Sequence, residues 1–261
     1  MKNLSIVIPA YNEEKRIGET LKSYSDYFNK ISKKEKFRYE ILVVINNTKD
    51  NTEGVIKAYQ KKNKNIRYLN FKQGGKGFAV IEGFKDALKR KNDLVGFVDA
   101  DLATPPNAFY GLVKHLGSYD GIIASRWHKK SLIKTKQTLL RKITSNGFNF
   151  LVKGILFLNF TDTQCGAKLF RRHALQKIVH RKNLTEWAFD IDLLYRLKQL
   201  GFKVKEIPTI WSDRDGSKID LAVVPLQMFL SIMRIRLLNS PFNFIVRSYD
   251  SLPRGIKFHK H

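Results

Sequence analysis

The chain has 261 residues, with 48 Lys and Arg against 23 Asp and Glu, a formal net charge of +25 and a pI near 10.1. Hydrophobic residues make up 43% and aromatics 12%, which excludes a disordered polyelectrolyte and is enough for a sizeable core. A field of this sign attracts polyanions: phosphorylated small molecules, an anionic membrane surface or nucleic acid.

Strand and helix patterns alternate through the first half. Leu4–Asn12 is a short apolar run stopping at a turn, and the following EEKRIGETLKSYSDYF sets Ile17, Leu21, Tyr24 and Phe28 at helical spacing. Glu40–Asn46 is a second strand, TEGVIKAYQKK a helix and IRYLN a short strand. KGFAVIEGFKDALKR places Ile81, Phe84 and Leu88 on one helical face; LVGFVD is the fourth strand, PPNAFYGLVKHL a helix and Asp120–Ser125 the fifth strand. This alternation predicts βαβ units in a mostly parallel sheet with helices on both faces. In the second half KQTLLRKITSNGFNFLVKGIL reads as a helix with Leu140, Ile143, Phe148, Leu151 and Ile155 inward, CGAKLF as a strand, WAFDIDLLYRLKQLG as a helix closed by Gly201, and KVKEIPTIW as a strand. An apolar helical tail runs from Ile219 to Leu238, punctuated by Arg234 and Arg236.

Cys165 is the single cysteine, so no internal disulfide or Cys-based metal site is expected, which fits a reducing compartment. With Met1 three residues before the first strand-like run, no signal peptide is expected. The longest mostly apolar stretch, Ile219 to Met233, holds Asp220 and Pro225 and falls short of the ~20 apolar residues of a membrane span. One domain with an elaborated C-terminal part is the simplest division: residues 1–218, then an amphipathic helical extension over 219–261.

In open sheets of this kind ligands bind beyond the carboxyl ends of the strands, which directs attention to Pro9–Glu13, Asn46–Asp50, Asp99–Asp101 and Ser125-Arg126. Asp99 and Asp101 close the fourth strand. In extended backbone residues two apart share a side, so both carboxylates would face one cleft, where a divalent ion would relieve their repulsion. Strand end and helix cap is the competing reading of an isolated Asp-x-Asp. Gly74–Gly77, GGKG, opens a helix as glycines do where backbone approaches a phosphate, although it lacks the Walker spacing.

Taken in order, PAYNEE, VVINNTKDNT, GGKG, DADLATPP, ASRW, DTQCGAKLF, EWAFDIDLLYRL and DGSK resemble the family 2 glycosyltransferases. The likeness is greatest to members that move a sugar from a nucleotide-sugar to a polyprenyl (dolichyl) phosphate, the glucosyl branch before the mannosyl one, and it covers residues 3 to 238. The resemblance implies a GT-A fold, a Rossmann-like sheet with the nucleotide at its strand ends. It implies an inverting hexosyl transfer, with UDP-glucose the favoured donor and GDP-mannose the next, and Mg2+ or Mn2+ as cofactor. Pro9, Ala10, Tyr11 and Glu13 would then line the nucleotide, Gly75 and Lys76 would lie near the donor, and Asp99, Ala100 and Asp101 would meet the ribose and the metal, with Asp99 and Asp101 as its ligands. Arg126, Arg141 and Ser145 would hold donor and acceptor phosphates, where the planar fork of Arg suits a phosphate. Asp162 would act as an orienter or weak base, since a phosphate acceptor is already ionised at neutral pH (second pKa about 6). Asp190 or Asp192 is the other candidate for acceptor-side chemistry; two apart, they would not both face inward on one helix, and Asp190 matches the motif. Lys218 would neutralise a phosphate from a closing loop.

Three positions depart from the family pattern. Ile45-Asn46-Asn47-Thr48 stands where Asp-Asp-Gly-Ser is usual, so Asn46 replaces an Asp that recognises the base; Ala103 stands where mannosyl relatives carry a polar residue; and Ala167 replaces an aromatic, which is expected to widen the acceptor end. A lipid acceptor implies a peripheral protein on the cytoplasmic face of a membrane, held by the apolar tail and basic residues. A glycan or lipid hydroxyl acceptor is the alternative and would need a true base. Binding of nucleic acid is not expected, because no recognition helix, stacking motif or zinc-finger spacing accompanies the charge.

Overall fold

A computed structural model describes residues 2–135, 139–180, 188–213 and 224–251. In chain order the elements are β1 (Asn3–Ala10), α1 (Ile17–Lys34), β2 (Arg38–Asn46), α2 (Thr52–Lys62), β3 (Ile66–Phe71), α3 (Lys76–Lys89), β4 (Leu94–Val98), α4 (Pro106–His115), β5 (Gly121–Ser125), β6 (Leu132–Ile133), α5 (Leu139–Leu156), β7 (Ala167–Arg171), α6 (Arg172–Gln176), α7 (Phe189–Gln199), β8 (Val204–Pro208), β9 (Ile210–Trp211), α8 (Val224–Leu238) and α9 (Asn243–Ser251).

The main sheet runs β3-β2-β1-β4-β7-β5-β8, and β6 pairs with β9 in a second, two-stranded sheet. Neighbours in the main sheet are parallel except around β7, which runs antiparallel to both β4 and β5. The apolar runs of β1, β2, β4 and β5 are buried almost throughout because helices cover both faces of the sheet. One core holds α3, α7 and the inner residues of α5 and α8; the other holds α1, α4 and the opposite side chains of the same strands. Ile17, Leu21, Tyr24 and Phe28 are fully buried, and Ile81, Phe84 and Leu88 are buried, as their spacing predicts. The mostly parallel α/β architecture expected from the sequence is therefore observed.

The differences are local. β4 ends at Val98, so Asp99–Asp101 lies in a turn rather than in extended strand. The single strand expected at the end of KVKEIPTIW breaks after Pro208, and Ile210-Trp211 leaves the main sheet to pair with Leu132-Ile133. The apolar tail is present as α8, with Ile232 and Ile235 inside the first core while Phe229 and Leu230 stay exposed. Along α5, Phe148 is buried and Leu151 and Ile155 pack against the core; the side chains of Leu140 and Ile143 lie outside the described residues. Ala167 is fully buried in the second core, so its small side chain makes room inside the protein and does not open the acceptor end of a cleft.

Candidate functional site

The carboxyl ends of β1, β2 and β4, with the start of α3, enclose a cleft of about 540 Å³ lined by Pro9, Tyr11, Glu13, Arg16, Asn46, Asn47, Gly74, Gly75, Lys76, Asp99, Ala100 and Asp101. The first four of the eight ordered sequence motifs thus supply every lining residue except Arg16, and the other four supply none.

Two strand-end loops are knitted into one rim. Glu13 N donates to Thr52 Oγ1 at 2.8 Å, Glu14 N to Asp50 Oδ2 at 3.0 Å, and Lys49 N to Asn12 Oδ1 at 2.9 Å. Buried Asn46 joins three segments: its Nδ2 donates to Ala10 O at 3.0 Å and its Oδ1 accepts from Gly75 N at 3.1 Å. A carboxylate there would have no hydrogen to give to Ala10 O. Asn46 still lines the cleft, with one bond from each end of its amide made to backbone, and Asn47 stands exposed beside it on the wall. Ala10 is likewise buried, and it serves the cleft through its carbonyl rather than by lining it.

The turn after β4 is held from α1. Thr20 Oγ1 donates to Ala100 O at 2.6 Å and Tyr24 Oη to Thr104 O at 2.8 Å. Asp101 Oδ1 accepts from Ala103 N at 2.9 Å, within its own turn; α4 begins instead behind Pro105 with no side-chain cap. Asp99 and Asp101 both face the cleft although their backbone is not extended. Burial first, then the charge of Asp99, raises the Asp101 carboxyl above its ordinary pKa. Burial also raises Glu13, against the lowering effect of Arg16, whose Nη2 lies 2.7 Å from Glu13 Oε1. Lys76 Nζ sits 2.6 Å from Asp99 Oδ1 and 3.9 Å from Asp190 Oδ2.

A second constellation forms at the end of β5. Arg126 forks onto Asp162, with Nε 2.7 Å from Oδ2 and Nη2 2.8 Å from Oδ1, and Arg126 N donates to Oδ2 at 2.9 Å. Its guanidinium lies over the Trp211 ring, 5.5 Å from the centroid. Glu206 accepts from the backbone of Thr161 and Asp162 and so fixes the loop that carries Asp162. Burial on its own would raise Asp162, but the Arg126 hydrogen bonds and charge outweigh it and hold the carboxyl below its ordinary value. Between the two readings left open for Asp162, orienter or weak base, this geometry fits the orienter. Burial pushes the nearby Cys165 thiol up to about 12, so it is not a thiolate nucleophile.

Asp190, in the first turn of α7, lies between two lysines, with Oδ1 2.6 Å from Lys168 Nζ and Oδ2 3.9 Å from Lys76 Nζ. Asp192 is also buried, which corrects the expectation that only one of the two turns inward: α7 is enclosed on nearly every side, and Asp192 pairs with Arg196 at 2.8 Å in the interior while Asp190 pairs with Lys168. Arg141 and Ser145 lie on α5, with side chains outside the described residues, and Lys218 lies outside them altogether. Sequence reasoning missed Arg16 and Lys168. The pairing of Arg16 with a motif glutamate three residues earlier could have revealed the first.

A Rossmann-like sheet with a carboxylate pair and cations at its strand ends is the arrangement of the GT-A glycosyltransferases. The glucosyl-3-phosphoglycerate synthase of Mycobacterium tuberculosis, solved with Mn2+, UDP and glucosyl-3-phosphoglycerate, superposes with a TM-score of 0.66 over 90% of this chain and 79% of its own, at 17% identity. The mannosyl-3-phosphoglycerate synthase of Rubrobacter xylanophilus does so with 0.66 over 97% and 77%, at 18% identity. The fold is GT-A. The family model for glycosyl transferase family 2 matches residues 5–179, and the chain belongs to that family; it is a glycosyltransferase. Curated relatives include the dolichyl-phosphate beta-glucosyltransferases of Dictyostelium discoideum, 35% identical over 89% of this chain and 73% of that protein, and of Homo sapiens, 32% identical over 90% and 75%.

Two substitutions test this geometry. A Cβ at Gly166 would stand 1.8 Å from Asp99 Oδ2, so Gly166→Ala must turn the Asp99 carboxylate away; turnover is expected to fall by about 100-fold, as misplacement by ~1 Å does, with a melting temperature close to wild type. Asp162→Asn leaves Arg126 without its counter-charge and is expected to cost about 3–5 kcal/mol of stability in urea melts at neutral pH. Because the folded-state pKa of Asp162 is depressed, that difference is complete above the ordinary value of 3.8 and shrinks as pH falls through the depressed one.

Proposed function

We propose that this chain transfers glucose from UDP-glucose to a polyprenyl (dolichyl) phosphate, with inversion, at the cytoplasmic face of a membrane. The observation that carries the reading is the Asp99–Asp101 turn, faced by Lys76 and Arg16 in one cleft, in a chain whose curated relatives are named for transfer to dolichyl phosphate. GDP-mannose is the donor to test beside it.

The donor set suits a divalent metal. Asp99 and Asp101 present hard oxygens to one cleft, and Mg2+ or Mn2+ is commonly held by one or two carboxylates plus substrate phosphates. No group of three or more His, Cys, Asp or Glu among the described residues could hold an ion alone, so diphosphate oxygens would complete the shell. The ion, when bound, supplies Lewis-acid neutralisation of the leaving diphosphate. Lys76 and Arg16 add cations at the same end; Pro9, Tyr11, Glu13 and Asn47 wall the nucleoside. Arg126 would present its guanidinium to a phosphate, positioned by Asp162, with Arg141, Ser145 and Lys218 assigned by resemblance to the same task.

A phosphate acceptor is favoured over a hydroxyl by the state of the two candidate bases. Asp162 gives both oxygens to Arg126, and Asp190 gives one to buried Lys168 at 2.6 Å. Neither is a free base, and a phosphate monoester, with its second pKa of about 6, needs none. Support for a membrane surface comes from exposed Phe150, Phe157, Phe229, Leu230, Phe244 and Ile245 on or beside α5, α8 and α9, helices packed in series. No helix among the described residues is long and apolar enough to cross a membrane. The basic excess would add attraction to an anionic leaflet.

The test is transfer from UDP-glucose and GDP-mannose to a short-chain polyprenyl phosphate with Mn2+ or Mg2+. Glucose transfer is expected from UDP-glucose, lost with EDTA and lowered by about 100-fold or more in Asp101→Asn. Transfer should fall on the acid side as Asp101, whose carboxyl burial raises from its ordinary value, takes up a proton and can no longer hold a cation. Transfer to a glycan or diacylglycerol hydroxyl but not to the phosphate would reject the reading.

A further inference from the structure

Lys168 lies within the DTQCGAKLF motif, yet nothing so far gives its charge a role. It sits in the middle of β7, opposite Phe97 of β4 and Ile123 of β5, and is fully buried. Its Nζ donates to Cys165 O at 2.7 Å and to Asp190 Oδ1 at 2.6 Å, and lies 5.2 Å from the centroid of the Phe97 ring. Holding an ammonium in a sheet interior costs several kcal/mol before pairing, and an apolar side chain of the same length would fill the space at less cost. The position therefore asks what the charge does.

Four side chains of alternating sign run from this buried point to the cleft. Lys168 holds Asp190 by Oδ1; the other oxygen of Asp190 lies 3.9 Å from Lys76 Nζ; and Lys76 Nζ lies 2.6 Å from Asp99 Oδ1. The Phe97 ring serves both ammonium groups, with Lys76 Nζ 5.7 Å from its centroid. The spacing between Asp190 and Lys76 is set by backbone as well. A Cβ on Gly77 would stand 2.8 Å from Phe189 Cβ, so the first turns of α3 and α7 approach as closely as they do because residue 77 is glycine.

We propose that Lys168 is a positioning residue for glycosyl transfer: by fixing one oxygen of Asp190 it aims the other at Lys76, and so sets where Lys76 stands relative to Asp99 and an incoming nucleoside diphosphate. The inference rests on the reading of the cleft as a nucleotide-diphosphate site. Without Lys168, Asp190 is no longer held, and Lys76 loses the fixed partner that sets its place beside Asp99. Lys168 itself touches no substrate.

The experiment measures binding of UDP and of GDP, each with Mn2+, by calorimetry, alongside the melting temperature. It uses the full chain as wild type, Lys168→Met, Asp190→Asn, Lys76→Met and the pairs Lys168→Met/Asp190→Asn and Lys168→Met/Lys76→Met. Lys168→Met is expected to weaken the nucleotide that wild type binds by about 10-fold or more, the usual range for a residue supporting a ligand contact, and to lower the melting temperature. The pair with Asp190→Asn removes both charges of the ion pair, and should recover the melting temperature but not the affinity. In the Lys76→Met background, Lys168→Met should cost no further affinity. If affinity recovers together with the melting temperature, or if Lys168→Met costs the same with and without Lys76, the positioning role is overturned while the nucleotide site stands. A folded wild type that binds neither nucleotide overturns the reading of the cleft and this inference with it.

Discussion

Asp99 N donates to Gly166 O at 3.1 Å just beyond the last ladder pair, Val98 with Ala167, and the cleft is built outward from that contact. Because β7 runs antiparallel to β4, its entry, not its exit, meets the carboxyl end of β4. The Cys165–Lys168 segment thereby arrives beside the Asp99 turn from a part of the chain some 65 residues away. A parallel strand in the same place would bring its exit there and leave Asp99 without this neighbour. Gly166 leaves room for the carboxylate, Cys165 lends a carbonyl to Lys168, and Lys168 reaches across to Asp190.

Charge pairing gives the site its second constraint. The chain carries a formal +25, yet the cations at and below the cleft are matched one by one: Arg16 with Glu13, Lys76 with Asp99, Arg126 with Asp162, Lys168 with Asp190 and, deeper, Arg196 with Asp192. Removing one partner of such a pair costs more than the pair contributes. The pairs are therefore better read as devices for holding geometry than as sources of stability. The basic excess belongs to the rest of the surface, where it acts on encounter with anionic partners and not on the chemistry.

The strands and helices of the first half were legible because apolar runs and helical spacing there have few other solutions, and the Asp99–Asp101 pair was legible because carboxylates closing an apolar strand are conspicuous. The reason offered for their shared orientation was wrong in detail: an i, i+2 rule for extended backbone was applied to residues that sit in a turn. Lys168 was illegible for a different reason. In CGAKLF a lysine between apolar neighbours reads as the outward member of an alternating strand, and only the antiparallel insertion of β7 between two covered strands turns that outward face into interior. Asn46 was read as a weakened base contact, because its bonds to Ala10 and Gly75 depend on three segments meeting, which no single stretch encodes.

The two groups of charges, one around Asp99 and one around Asp162, answer different physical demands. Around Asp99, like carboxylates are crowded together and Asp101 is raised toward protonation, a state relieved by any cation that enters. Around Asp162 the opposite holds: the carboxylate is buried, saturated and kept ionised by Arg126, so its proton affinity is low and its orientation fixed. One group is arranged to gain a cation and the other to hold one still. A reaction whose leaving group is a diphosphate and whose nucleophile is already an anion requires that division, since both partners bring negative charge and neither asks the protein to remove a proton.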